Sequence, residues 1–269
     1  MQKKIDLKTT LIEVDGVTNI RNIGGIPVKN NRVIKKRCIL RSGSLHEITD
    51  KGIAKLKNDF HLSHVYDLRS KLETEDVPDI KIDGVKYTYL EVLKADTTTQ
   101  NVPLKSDEII VPENSDIMFQ NYIDYAVGED AIKSYKNFFN DLINEDDTCI
   151  LFHCRSGKDR TGILALLIEY ILQVDIKNIH EDYLLVNETN KAGIDWYVKQ
   201  GEKITQDPYR LHLMRMGGGT SLELLDNFYK AIQEKYGNLE NYILKALDID
   251  YQKRKILIDK YTEERCIKR

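Results

Sequence analysis

The chain has 269 residues, a hydrophobic fraction of 41%, a charged fraction of 31% and a net charge of −3. These values exclude overall disorder and fit one large domain with additions, whose core buries roughly 70–75% of the unfolded surface. With a negative net charge, no dense basic arm and no zinc-finger or basic-zipper spacing, a nucleic-acid-coating protein is excluded as well.

Short strands and turns are predicted in the first third. Leu11–Val14 and Cys38–Leu40 are apolar and partly β-branched, with Gly24, Gly25 and Pro27 between them. The Lys-rich stretch 29–37 is expected to be a solvated hairpin or loop. Ile48-Thr49-Asp50 offers capping residues for a helix through about Leu56. His64–Leu68 and Tyr87–Val92 are further strand candidates. Residues 95–116, with Thr97-Thr98-Thr99 and two prolines, are expected to form a loop insertion. Ile117–Ile143 turns helical, and Cys149–Phe152 is a short apolar run of the kind found in a buried central strand.

Ile163–Leu172 is apolar almost all round, as in a helix enclosed by the fold. Residues 176–200 continue helical, and Asp207–Met216 is ambiguous. Gly217-Gly218-Gly219 marks a break, Thr220–Tyr236 an amphipathic helix stopped by Gly237, and 239–264 two more helices. Strands early, helices late and one strand–loop–helix junction indicate an α/β fold, read as one domain over 1–269. Residues 192–216 could cover a site as a helical lid, or be an ordinary packed helix pair; 220–264 forms a helical C-terminal portion.

Cysteines at 38, 149, 154 and 266 have no CxxC spacing, which suggests free thiols in a reducing compartment. The opening residues lack the apolar core of a signal peptide, and no run is long enough to span a bilayer. A cytoplasmic address without integral membrane association is expected, with export lacking a readable signal left open. The histidines show no HxH or HExxH pattern, so neither a metal site nor a cofactor is expected.

The junction at 153–162, His-Cys-Arg-Ser-Gly-Lys-Asp-Arg-Thr-Gly, carries the chemistry. A strand delivers Cys154 to the carboxyl edge of a sheet, and a helix starting near Arg160 presents unpaired N–H groups and its positive dipole end. Gly157 permits a tight path, so that several backbone N–H groups converge on an anion-sized cradle. Cysteines in such settings have pKa values lowered to roughly 3.5–7.5, which would make Cys154 nucleophilic at neutral pH. Arg160 offers a planar fork for two phosphoryl oxygens. Asp159 is placed to protonate a leaving oxygen and later to accept a proton from water. Arg155, Ser156, Gly157 and Lys158 would bind substrate, Thr161 could hydrogen-bond the sulfur, and His153 could orient the loop from behind.

His153-Cys154, five residues, then Arg160-Thr161-Gly162 resembles the signature of the cysteine-based protein tyrosine phosphatase superfamily. The Lys158-Asp159-Arg160 ending is similar to that of bacterial atypical, lipid-phosphatase-like tyrosine phosphatases, some of which are secreted by pathogens. The segments Asn19–Gly25, Leu40–Gly43, Asp67–Ser70 with Glu73, and Tyr236–Tyr242 match the same group, so the resemblance covers nearly the whole chain. It implies a central, mostly parallel sheet flanked by helices and metal-free hydrolysis of phosphotyrosine. Several members also accept phosphoserine, phosphothreonine or phosphoinositides, which makes phosphorylated proteins or phosphoinositides the expected partners. The loop acid of that group matches Asp159 and the loop lysine Lys158; Arg155 is compatible with a phosphoinositide or with solvent.

Competing readings exist for single residues. Asp159 could be an N-terminal helix cap, and the acid role is preferred. Asp67 is the rival acid, better read as a turn partner of a backbone N–H. Arg69 and Glu73 are expected to pair structurally, and Cys149 to be a core residue. A nucleotide-binding loop fails, because it needs Gly at 152 and Ser or Thr at 159, where Phe152 and Asp159 stand. A rhodanese-like or arsenate-reducing enzyme does not need Asp and Arg adjacent at the loop's end. A catalytically silent phosphate-binding module would usually lose the cysteine, the arginine or the acid, and all three are present.

Overall fold

The computed structural model describes residues 10–94, 109–146 and 149–265. In chain order these form β1 (Arg21–Asn22), β2 (Pro27–Val28), β3 (Arg32–Ile34), β4 (Ile39–Ser42), α1 (Asp50–Phe60), β5 (His64–Asp67), α2 (Lys71–Asp76) and β6 (Lys86–Tyr89). There follow α3 (Asp116–Val127), α4 (Glu129–Asn144), β7 (Ile150–His153), α5 (Asp159–Ile171), α6 (Ile176–Leu184), α7 (Val186–Thr189), α8 (Lys191–Gly201) and α9 (Pro208–Gly218). The chain ends in α10 (Leu222–Tyr236), α11 (Leu239–Lys245), α12 (Tyr251–Tyr261) and β8 (Thr262–Glu264).

The main sheet has the order β1-β4-β7-β5-β6, with β4, β7, β5 and β6 parallel and β1 antiparallel at one edge. This is the mostly parallel, helix-flanked α/β architecture expected. Register decides where the chemistry sits: His153 stands opposite Ser42 on one side and Asp67 on the other. The residues that follow these three strands therefore meet at one carboxyl edge.

Side-chain alternation along β7 feeds two cores. Ile150 and Phe152 face the larger one, with Phe138 and Phe139 of α4, Phe228 of α10 and the apolar length of α5. Cys149 and Leu151 face a smaller one with Leu56 and Phe60 of α1, which confirms Cys149 as a core residue. Each such fully buried side chain contributes about 1.5–3 kcal/mol. From Thr161 to Glu169 every residue of α5 is buried, as its apolar circumference requires. Thr49 caps α1 as expected, although the helix runs on to Phe60 rather than ending near Leu56.

Several expectations need correction. Leu11–Val14 forms only isolated bridges, not a strand. The helical run from 117 is two helices, broken at Gly128. Gly217 and Gly218 close α9, and the break falls at Gly219. The second of the two helices expected over 239–264 gives way at its end to β8, which pairs with β3 to complete a three-stranded antiparallel sheet. The 29–37 stretch is the β2–β3 hairpin, turning through Asn30 and Asn31 in the left-handed region. Most of the expected 95–116 insertion, and Cys266, lie outside the described residues. The three described cysteines are free, and among the described residues no helix is long and apolar enough to cross a membrane.

Candidate active site

Cys154 follows β7 directly and is 2% exposed. The loop after it is held from outside by its carbonyl oxygens. The Ser44 amide donates to Arg155 O at 2.9 Å. Asn19 Nδ2 donates to Ser156 O and Gly157 O at 3.2 and 2.9 Å, and Arg41 Nη2 to Gly157 O at 3.2 Å. In a trans peptide the N–H points opposite to its C=O, so three carbonyls drawn outward turn the N–H groups of residues 156–158 inward. Gly157 takes φ +70°, and a Cβ there would lie 2.5 Å from the Ser42 carbonyl atoms. Only glycine fits. The sequence segments at 19–25 and 40–43 thus act as the outer frame of the loop.

Beneath that frame lies a buried charge cluster. Arg41 Nη1 reaches Asp182 Oδ2 at 2.6 Å, and Arg21 Nη1 donates to Asp182 O and Oδ1 at 2.8 and 3.2 Å. Burial and the neighbouring Arg41 lower the pKa of Arg21 to about 10, still well above neutrality. Burial, and after it the charge of Asp182, push the Glu169 carboxyl pKa well above the usual carboxylate range. Arg41 thus ties the loop, through Gly157 O, to a buried cluster of Arg21, Asp182 and Glu169.

Arg160 is paired with Glu73, through Nη1–Oε2 at 2.5 Å and Nη2–Oε1 at 2.7 Å. This corrects the expected Arg69–Glu73 pair. Glu73 is the third residue of α2, where it completes a capping box with Ser70, so its carboxylate is fixed before it meets Arg160. Burial alone would raise its pKa; Arg160 and Ser70 reverse that and hold it near 2. Burial opposes the charge on Arg160, and Glu73 restores it, raising that pKa. Because each terminal nitrogen spends one N–H on Glu73, the remaining N–H groups stay available to a phosphate.

The Asp159 carboxylate is held by side chains: Oδ1 accepts from Tyr122 Oη at 2.8 Å and Oδ2 from Lys158 Nζ at 2.6 Å. Tyr122 Oη lies 2.6 Å from Tyr183 Oη, and Thr220 Oγ1 donates to Tyr183 in turn. All three hydroxyl residues are buried.

His153 ends β7 and is fully buried. Its Nδ1 is 3.0 Å from Cys154 O and its Nε2 3.1 Å from Asp79 Oδ2. Burial would lower its pKa, but Asp67 and Asp79 outweigh burial and raise it. Asp67 accepts the Arg69 backbone N–H at 3.0 Å and the Arg69 guanidinium at 2.7–3.1 Å, which is the turn-partner reading. Asp67, Asp79 and His153 bring three potential ligand atoms within 4.8 Å of one another. Arg69 also reaches Asp79, at 2.9 Å. Its guanidinium already engages both carboxylates, which does not fit a metal ion there.

Arg155, Ser156, Lys158, Asp159 and Arg160 line a pocket of about 380 Å³. Its opposite wall is apolar and aromatic, with Met118 and Tyr125 from α3, Trp196 and Tyr197 from α8, and Met214 and Met216 from α9. Thr161 is fully buried, and its hydroxyl has no protein partner among the described residues. Glu73 and Tyr122 were missed as site residues. A buried arginine with no local acid signals that a partner must exist, but not which one. Tyr122 looked like one more position on an apolar helix face.

The model of a family described as the tyrosine phosphatase family matches residues 12–263. A protein of Cupriavidus necator described as a "putative tyrosine-protein phosphatase" is 25% identical over 241 residues, covering 88% of this chain and 84% of that one. Among solved structures, the core catalytic domain of the PP-IP phosphatase SIW14 from S. cerevisiae, in complex with citrate, gives a TM-score of 0.38 at 17% identity. That match covers 64% of this chain and 76% of the other. PTPMT1 in complex with PI(5)P gives 0.27 at 13% identity over 71% of this chain and 94% of that one. At these scores nothing about this chain's substrate follows from either structure.

Proposed function

We propose, for a chain that belongs to the tyrosine phosphatase family, that it hydrolyses phosphate monoesters on phosphotyrosine proteins through a phosphocysteine intermediate. The observation that carries this reading is the loop itself. Three outward-drawn carbonyls aim inward the N–H groups of the residues that follow Cys154, and Arg155, Ser156, Lys158, Asp159 and Arg160 line one pocket.

In this reading the Cys154 thiolate attacks phosphorus, and the bond to the leaving oxygen breaks as that oxygen takes a proton from Asp159. Water then attacks the phosphocysteine and gives a proton to Asp159, and the sulfur leaves, with Thr161 placed to donate to it. Arg160 and the loop N–H groups hold the three equatorial oxygens throughout, which is most of what a loose phosphoryl transfer requires. No step needs a metal.

The apolar wall favours an aromatic ester over a polyphosphorylated head group. The cations lining the pocket are Arg155, Lys158 and Arg160, all from the loop, and Lys158 and Arg160 already face carboxylates. A ring can stack against Tyr125, Trp196 or Tyr197, where a multiply charged inositol finds no further lining cation among the described residues. The α8–α9 hairpin, supplying most of that wall, is proposed as a lid over the site within a single domain.

The test is phosphate release from a phosphotyrosine peptide, a phosphoserine peptide and a soluble phosphoinositide, for wild type and Cys154→Ser, with chelator present. Turnover of the phosphotyrosine peptide that vanishes in the variant and ignores the chelator is expected. Oxyanion binding without turnover on all three would instead identify a phosphate-binding module.

A further inference from the structure

We infer that Tyr183 and Thr220, acting through Tyr122, are positioning residues that assign the transferable proton of Asp159 to Oδ2. This rests on the reading of Asp159 as the general acid. A hydroxyl has one hydrogen to give. Tyr122 gives its own to Asp159 Oδ1. Its contact with Tyr183 must then be one in which Tyr183 donates, and Tyr183 in turn must receive from Thr220. The chain Thr220 → Tyr183 → Tyr122 → Asp159 runs in one direction only, and each link polarises the next.

Thr220 and Tyr183 are both held in place. The Thr220 backbone is clamped by Asn187, whose Oδ1 accepts from Thr220 N and whose Nδ2 donates to Thr220 O, each at 2.9 Å. Tyr183 is packed against α5 at Gly162, where a Cβ would meet its ring at 3.1 Å. Burial, followed by the charge of Asp159, raises the pKa of both phenols, so they remain protonated donors across the working range.

A proton on Oδ1 would have to donate back to Tyr122, reversing all three hydroxyls and leaving the buried Thr220 hydrogen without its acceptor. A proton on Oδ2 disturbs none of them. Oδ2 is also the oxygen that Lys158 now holds. When a phosphate dianion enters, the flexible Lys158 ammonium gains a doubly charged partner, which frees Oδ2 for the leaving group. The chain thus keeps one carboxylate oxygen permanently engaged and leaves the other for the leaving group.

Tyr183 is the clean place to test this, since it is buried and lies off the pocket wall, and Tyr183→Phe removes only the hydroxyl. kcat would be measured for wild type, Tyr183→Phe, Thr220→Val, Thr220→Ser and Asp159→Asn on aryl phosphates of graded leaving-group pKa. Tyr183→Phe is expected to lose on the order of ten-fold on phenyl phosphate and much less on p-nitrophenyl phosphate, because only the poorer leaving group depends on the acid. Thr220→Val should do the same, and Thr220→Ser should restore the rate. In an Asp159→Asn background Tyr183→Phe should add nothing. Equal losses across leaving groups, or no loss in Tyr183→Phe, would overturn the inference while Asp159→Asn still shows a leaving-group-dependent loss. If Asp159→Asn itself shows no such dependence, the acid assignment fails first, and the positioning role with it.

Discussion

Replacing Glu73 by Gln tests how much the Arg160 pair is worth. The side chain keeps its volume and an oxygen for the Ser70 N–H, so the α2 cap survives, while the charge and the acceptor for Arg160 Nη2 are lost. The carboxylate's pKa falls from the ordinary 4.5 to about 2 in the fold. At about 1.4 kcal/mol for each tenfold change in proton affinity, that drop corresponds to roughly 3 kcal/mol. The figure agrees with the 3–5 kcal/mol typical of breaking a buried pair from one side. Urea unfolding at pH 7 should therefore show Glu73→Gln less stable by roughly 3 kcal/mol. Since the folded pKa is depressed, the wild-type advantage is complete above pH 4.5 and fades as pH falls toward 2. A variant within about 0.5 kcal/mol of wild type at pH 7, or a gap unchanged on acidification toward 3, would refute the reasoning.

Cys154→Ser should abolish turnover yet still bind tungstate in calorimetry, because the inward N–H groups and Arg160 remain. Gly157→Ala should lose tungstate binding and also destabilise the fold by more than about 2 kcal/mol. A positive φ costs a β-carbon about 1–2 kcal/mol, and the clash with the Ser42 backbone at 2.5 Å adds to it. Arg41→Met keeps bulk but removes the donor to Gly157 O and the partner of Asp182. It should raise KM and the tungstate Kd together by about tenfold, the equivalent of one charge-assisted hydrogen bond, in steady-state assays.

The strand–loop–helix junction was legible because its signal is local: an apolar run, a glycine, and charged residues at a fixed spacing from the cysteine. Cys154, Asp159 and Arg160 needed nothing else to be placed on one loop. The partners of those residues come from elsewhere in the chain, and local spacing says little about them. Glu73 lies four residues from Arg69, close enough to suggest a pair, yet sheet register sends Arg69 to Asp67 and Asp79 and leaves Glu73 facing Arg160. Tyr122 carries a phenol on a helix whose spacing speaks only of burial. The end of the chain misled for a different reason: Thr262–Glu264 becomes a strand because β3 offers it an unpaired edge, and no propensity of its own predicts that.

The frame of the anion loop is built across long sequence separations, 137 and 138 residues from Asn19 to Ser156 and Gly157 and 116 from Arg41 to Gly157. Contacts so remote form late, since loop closure must precede them. A chain caught midway in folding would hold Cys154 and Arg160 without the donors that turn the peptide groups around, and so would have no cradle. Oxyanions accordingly select the finished state, and at a hundredfold excess over Kd their binding adds about 2.7 kcal/mol to its stability. The apparatus for gripping phosphate thus doubles as a check that both halves of the chain have come together.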